Sequence, residues 1–183
     1  EERHVFEQLA VFAGGATLDA AAAVCRGLDG EVLAVDSVLD TLTVLADKAL
    51  VASDRGGAEV RFGMLETLRA FGAERCRDPE VANRHAAYFV GVAASAGRDL
   101  FGPREAEVWD ALERDWANLR AAEAHAIRAG DLAGAADLVC AIGWYVTFAM
   151  RMEAFGWVDR IVEEHTTLGR TIDRSPELFA LSA

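Results

Sequence analysis

One stretch of this chain, Leu50 to Met64, breaks a helical hydrophobic period that runs through almost everything else. Leu50-Val51-Ala52-Ser53 has strand character, Asp54-Arg55-Gly56-Gly57 supplies turn residues, and Val60-Arg61-Phe62-Gly63-Met64 alternates as a return strand. A lone hairpin cannot bury a face by itself and must lean on helices. The chain is therefore expected to be mainly α, with one hairpin set among helices.

The flanking pattern supplies those helices. Val5, Phe6, Leu9 and Phe12 recur at helical spacing, so residues 3–13 read as a helix stopped by Gly14-Gly15. Thr17 can cap a second helix over 18–25, and Val32, Val35, Val38, Leu39, Leu42, Leu45 and Ala46 mark a third over about 31–48. After the hairpin, Leu65, Leu68, Phe71 and Cys76 restart the period up to Asp78-Pro79. Three helices, a hairpin and a closing helix give the order of a winged-helix domain, residues 1–78. Its third helix would be the recognition helix and its hairpin the wing.

Residues 79–183 carry no strand signal. Helices are expected over 81–96, over 103–129 as one helix or two broken near Asp115, over 132–150, and over 153–164. Gly130-Asp131 reads as a helix stop followed by an N-cap. Short turns between amphipathic helices imply antiparallel neighbours, so this part reads as an antiparallel helical-repeat, tetratricopeptide-like domain, truncated at its end.

Composition narrows the function. The 183 residues hold 30 acids against 18 bases, a net charge of −12, and 52% are hydrophobic. That is too apolar for a disordered acidic tail and too acidic for a broad basic face on nucleic acid. Cys25, Cys76 and Cys140 are odd in number and far apart, as expected of free thiols in a cytoplasmic protein. The longest uncharged run, Leu138 to Met150, is too short to span a bilayer. No phosphate-binding loop, HExxH, GxSxG or GxGxxG pattern occurs, and His4, His85, His125 and His165 are scattered. Neither an enzyme, nor a metal site, nor a cofactor held by this segment is expected.

The winged-helix order raises the question of DNA. The third helix carries Asp36, Asp40 and Asp47 against Lys48 alone, and residues 1–78 hold 14 acids and 8 bases. The hairpin offers Arg55 and Arg61 beside Asp54 and Glu59. Carboxylates on a groove-facing helix repel phosphate, so the charge speaks against direct DNA contact and for a protein-docking role. The four tryptophans lie on helical stripes and read as core. A pocket lined by Trp144, Tyr145, Phe148 and Trp157 is the candidate for a ligand on the helical domain.

Several stretches resemble one family. Leu9 to Leu18 (LAVFAGGATL) followed by Ala22-Ala23-Val24-Cys25, Leu42 to Val51 (LTVLADKALV), Arg61 to Gly72 (RFGMLETLRAFG), Arg84 to Phe89 (RHAAYF) and Leu112 to Arg120 (LERDWANLR) resemble, in order, segments of actinobacterial STAND-type ATPase regulators of the LuxR/AfsR-like kind. The resemblance implies an upstream nucleotide-binding module holding ATP or ADP, a winged helix that packs on it, and a helical sensor. It also implies candidate inter-domain contacts at Met64, Glu66, Arg69 and Lys48. Related resistance and apoptotic ATPases open the closing helix with Met-His-Asp; Met64-Leu65-Glu66 stand here, and Leu65 cannot donate to phosphate.

The expected function is a non-catalytic regulatory segment of a STAND-type transcriptional regulator, relaying between the missing nucleotide module and a helical sensor that takes a protein or small effector. The alternative is a sequence-specific DNA-binding winged-helix factor with a helical dimerisation or ligand-binding domain. No membrane partner is expected.

Overall fold

The computed structural model describes residues 1–57 and 59–168, and the chain divides into two compact units, Glu1–Tyr88 and the part from Phe89 onward. It is mainly helical, with one small antiparallel sheet. The end of the expected second domain, residues 169–183, lies outside the described residues.

The first unit runs α1 (Glu2–Leu9), β1 (Ala16–Thr17), α2 (Leu18–Val24), α3 (Val35–Asp47), β2 (Ala52–Asp54), β3 (Arg61–Gly63) and α4 (Glu66–Arg75), and closes on the start of α5 (Val81–Asp99). Thr17 caps α2 as its chemistry suggests, its hydroxyl accepting from the Ala20 amide at 3.2 Å. The expected hairpin forms, with Ser53 opposite Phe62 and Asp54 opposite Arg61. Val5, Phe6 and Leu9 of α1 share a core with Ala21 and Val24 of α2 and with Val38, Leu42 and Leu45 of α3.

Three features differ from the sequence expectation. The first helix stops at Leu9, not near residue 13, and i to i+3 bonds from Val11 and Phe12 tighten the chain so that Phe12 meets His85 edge-on at 5.2 Å. Ala16-Thr17 forms an unexpected strand that pairs with β3, giving the sheet order β1-β3-β2. The third helix begins at Val35, because Gly27 to Glu31 close a turn and Arg26 bridges to Val32.

Gly15 makes the third strand possible. Its φ of +74° is the left-handed region, and a Cβ there would sit 2.9 Å from the Phe62 carbonyl oxygen. An L side chain costs about 1–2 kcal/mol in that backbone region before any clash.

The second unit contains the rest of α5, then α6 (Glu105–Ala129), α7 (Leu132–Ala141), α8 (Gly143–Phe148), a 3-10 turn (Met152–Ala154) and α9 (Phe155–Leu168). α6 is one continuous helix with no break at Asp115. It ends on left-handed Gly130, and the Asp131 carboxylate caps α7 by accepting from Gly134 at 2.9 Å. That two-residue turn folds α7 back onto α6, and α9 packs on both. The helix expected over 132–150 is interrupted at Ile142 (φ −100°, ψ 8°) beside Gly143, a poor helix former. Phe89, Leu100, Leu112, Leu119, Leu138, Ile142, Tyr145 and Ile161 are large fully buried side chains of this unit.

Gly15→Ala should lower the stability of the first unit by at least about 2 kcal/mol, since strain and clash add. Urea unfolding followed by circular dichroism measures it, and a loss under about 0.5 kcal/mol would show that β1 is not held as described.

Candidate contact groove

A concavity of the first unit lies between the outer face of α3, the start of α2 and the β2–β3 hairpin, with a volume of about 600 Å³. Leu18, Leu39, Val60 and Phe62 form its apolar part. Asp19, Asp47 and Glu59 bring carboxylates, Thr43 and Ser53 bring hydroxyls, and Arg55 is the cation among the described lining residues. Val38, Thr41, Leu42 and Leu45 turn inward, so helical periodicity leaves Asp36, Leu39, Asp40, Thr43 and Asp47 outward. Val32, Val35 and Leu39, grouped by sequence with the apolar face of the third helix, are exposed.

The two hairpin arginines differ in use. Arg61 donates to the Gly14 and Gly15 carbonyls at 3.2 and 3.1 Å and so belongs to the β1 turn. Arg55 is exposed at the hairpin turn, where Asp54 accepts from the Gly56 amide at 2.8 Å.

The four proposed inter-domain contacts do not gather at one point. Arg69 grips Glu66 through two bonds at 2.9 and 2.6 Å and reaches the Ala10 carbonyl at 3.4 Å. That guanidinium holds the exposed Glu66 carboxyl below its ordinary range. Met64 is half-buried at the start of this turn. Lys48 instead pairs with Glu2 at the opposite end of α1.

Sequence reasoning missed the polar cluster that holds this unit together. Gln8, fully buried on α1, donates to the Arg26 carbonyl at 2.8 Å and accepts from the Arg26 amide at 2.9 Å. Arg84 on α5 donates to the Gln8 side chain at 3.1 Å and the Val24 carbonyl at 2.7 Å, and pairs with Asp78. The Arg84 hydrogen bond holds the Asp78 carboxyl below its usual value. A glutamine on an otherwise apolar face was the available signal. Burial pushes the neighbouring Cys25 thiol up to about 12, so it stays protonated.

In the second unit the four expected pocket residues divide between two environments. Tyr145 and Trp157 are buried around Trp116, which stacks on Trp157 at 5.0 Å. Trp144 and Phe148 stack on each other at the surface, 5.9 Å apart. The Tyr145 hydroxyl donates to Glu113 at 2.7 Å, and burial with that bond lifts its pKa to about 12. Arg151 pairs with the same carboxylate, which the two donors hold below its ordinary range. Among the described residues no helix is long and apolar enough to cross a membrane.

No family model matches the sequence, and no solved structure matches it. Over 168 residues the chain is 34% identical to proteins that bear the name "Putative HTH-type transcriptional regulator" in Mycobacterium bovis and in two Mycobacterium tuberculosis strains, CDC 1551 and H37Rv. The match takes in 89% of this chain and 18% of each relative, so the chain spans about a fifth of their length. The chain is thus similar to transcription regulators.

This similarity corrects the partner expectation drawn from charge. Net acidity speaks against direct DNA contact, whereas relatives matched along 89% of this chain carry a name built on the helix-turn-helix, a DNA-reading motif. Average charge is a poor guide where a single exposed arginine and a helix face can be placed locally.

Arg84→Met should destabilise the first unit by about 3 kcal/mol, since Gln8, Val24 and Asp78 all lose a charged donor. The pH dependence has a definite sign. Asp78's folded pKa lies below its usual 3.8, so the pair stabilises above about pH 4 and that stability is lost as pH falls through the lowered value. Asp78→Asn should flatten this part of the acid limb in chemical unfolding; an unchanged limb would contradict the pairing.

Proposed function

We propose that this chain is a regulatory segment of a larger transcriptional regulator, and that its first unit is a winged-helix module presenting α3 and the hairpin to DNA. The 34% identity to the mycobacterial relatives carries the reading. The order α1-β1-α2-α3-β2-β3-α4 and the sheet order β1-β3-β2 support it. So does the outward face of α3 beside a hairpin that carries an exposed arginine. Thr43 can meet base edges, and Asp40 or Asp47 can accept from a cytosine amino group. Arg55 would meet phosphate. The second unit would serve as the helical dimerisation or ligand-binding domain.

A second reading rests on the family-like motifs and on the carboxylates Asp19, Asp47 and Glu59 in the groove. In it the chain joins a nucleotide-binding module to a tetratricopeptide-like sensor within a STAND-type regulator, and the groove receives a basic surface of that module. ATP and ADP would then bind outside this chain, so micromolar binding of either to these 183 residues in titration calorimetry would count against it.

Selected duplexes titrated at several salt concentrations test the DNA reading. Arg55→Glu should weaken binding by roughly tenfold and lower the slope of log affinity against log salt by about 1. Arg55 is the residue to change, since Arg61 holds the Gly14-Gly15 turn. Absence of any salt-dependent duplex binding by the unaltered chain would refute the reading.

A further inference from the structure

Each of the three walls of the groove in the first unit brings one carboxylate. Asp19 stands in the first turn of α2, Asp47 is the last residue of α3, and Glu59 lies in the hairpin connection. All three are exposed, and none of the ion pairs among the described residues uses them. Asp19 suits the start of a helix. Asp47 lies at the negative end of the α3 dipole, where a carboxylate destabilises, so helix stability gives no reason for an acid there. Between the acids the lining is apolar. Ser53 and Phe62 are cross-strand partners on one face of the sheet, and Phe62 joins Leu18, Leu39 and Val60 along the groove.

We propose that this groove binds a small organic cation, an amine or guanidine carried on an apolar body. Three observations select this occupant. The first is charge: the described lining holds three carboxylates against Arg55 alone, so it attracts a cation. An aromatic side chain beside carboxylates is also the surrounding that favours an organic ammonium group. The second is size: about 600 Å³ falls within the roughly 300–1,000 Å³ of small-molecule sites, which pair an apolar lining with a few polar groups. The third is arrangement. The acids come from three separate elements, while Asp36 and Asp40, further along α3, do not line the groove. The carboxylates therefore converge on one small region instead of continuing as the track that a long basic helix would follow.

The site goes beyond both functional readings, since it needs neither DNA nor a nucleotide-binding module, and binding is tested without either. The probe is 2-phenylethylamine, an ammonium group on an apolar ring, titrated into the 183-residue chain and followed by amide chemical shifts. Saturable shifts are expected at the Thr43, Ser53 and Phe62 amides, with a Kd on the order of 1 mM as for a fragment-sized ligand, and none at Leu119 in the second unit. Phenylacetate, which carries the opposite charge on a similar body, should not produce them. Asp47→Asn with Glu59→Gln should weaken the amine by about fivefold, as for two exposed ion pairs, and raising salt should weaken it too. Glu105→Gln with Glu107→Gln, two exposed acids of the second unit, should leave it unaltered. Arg55→Glu should tighten the amine by about threefold, the opposite of its expected effect on duplex binding, so failure of this proposal and failure of the DNA reading show separately. Circular dichroism should show all variants folded, since the replaced side chains are exposed. Absence of saturable shifts up to about 10 mM amine would overturn the proposal. Equal shifts with phenylacetate, or an amine affinity indifferent to the Asp47 and Glu59 changes, would overturn it as well. So would an arginine-rich amphipathic peptide that saturates the same amides where the amine does not, since the groove would then be a protein-docking site.

Discussion

The first unit depends on one buried amide and one guanidinium. Gln8 sits on the apolar side of α1, where an unsatisfied amide would cost more than the helix face gains. It is satisfied by pairing with both the amide and the carbonyl of Arg26, much as a neighbouring strand would. Arg84 then binds Gln8, the Val24 carbonyl and the Asp78 carboxylate together. The end of α2, the entry to α5 and the last turn of α1 are thereby fixed to one another. With that side of the unit closed by polar bonds and the Val38, Leu42 and Leu45 core, the outer face of α3 is free to line the groove.

A different device organises the second unit. Trp116 donates to the Glu153 carboxylate, stacks on Trp157 and lies beside Tyr145, while the Arg151 guanidinium stands 5.0 Å from its ring centre. Aromatic area supplies burial, and the Trp116 and Tyr145 polar tips are met by the Glu153 and Glu113 carboxylates, which is how tryptophan and tyrosine are carried in a core. Buried Glu123 takes two bonds at 3.0 Å from Arg160, yet burial still raises its pKa, so that pair fixes geometry more than it stabilises. Helical periodicity buries Tyr145 and Val146 and turns Trp144 and Phe148 outward from the same six-residue helix.

What could be read in the sequence was local. The Thr17 and Asp131 caps, the Gly130 stop and the hairpin depend on residues a few positions apart, and they appear where expected. β1 was illegible because two residues cannot show alternation. The break at Ile142 was hidden inside a continuous apolar run. The Gln8–Arg84 bond joins residues 76 positions apart; a glutamine on an apolar face signals that a partner is needed, but nothing in the local pattern names Arg84. The groove was half legible. The acids of the third helix were visible, but only the fold shows that Arg61 is occupied by backbone carbonyls and that Leu39 faces out. Charge counting likewise speaks against DNA contact where the relatives' names speak for it, since it weighs residues without regard to where the fold puts them.

The central claim is that the Gln8–Arg26–Arg84 cluster is structure as firm as the helices it joins. Native-state hydrogen exchange at the Arg26 amide tests it most directly. That amide lies outside every helix and strand, and the Gln8 carbonyl oxygen is its acceptor at 2.9 Å. The account predicts that it exchanges as slowly as the core amides of α1 and α2, through unfolding of the whole unit. Exchange at the rate of an open loop, with α1 and α2 still protected, would contradict it.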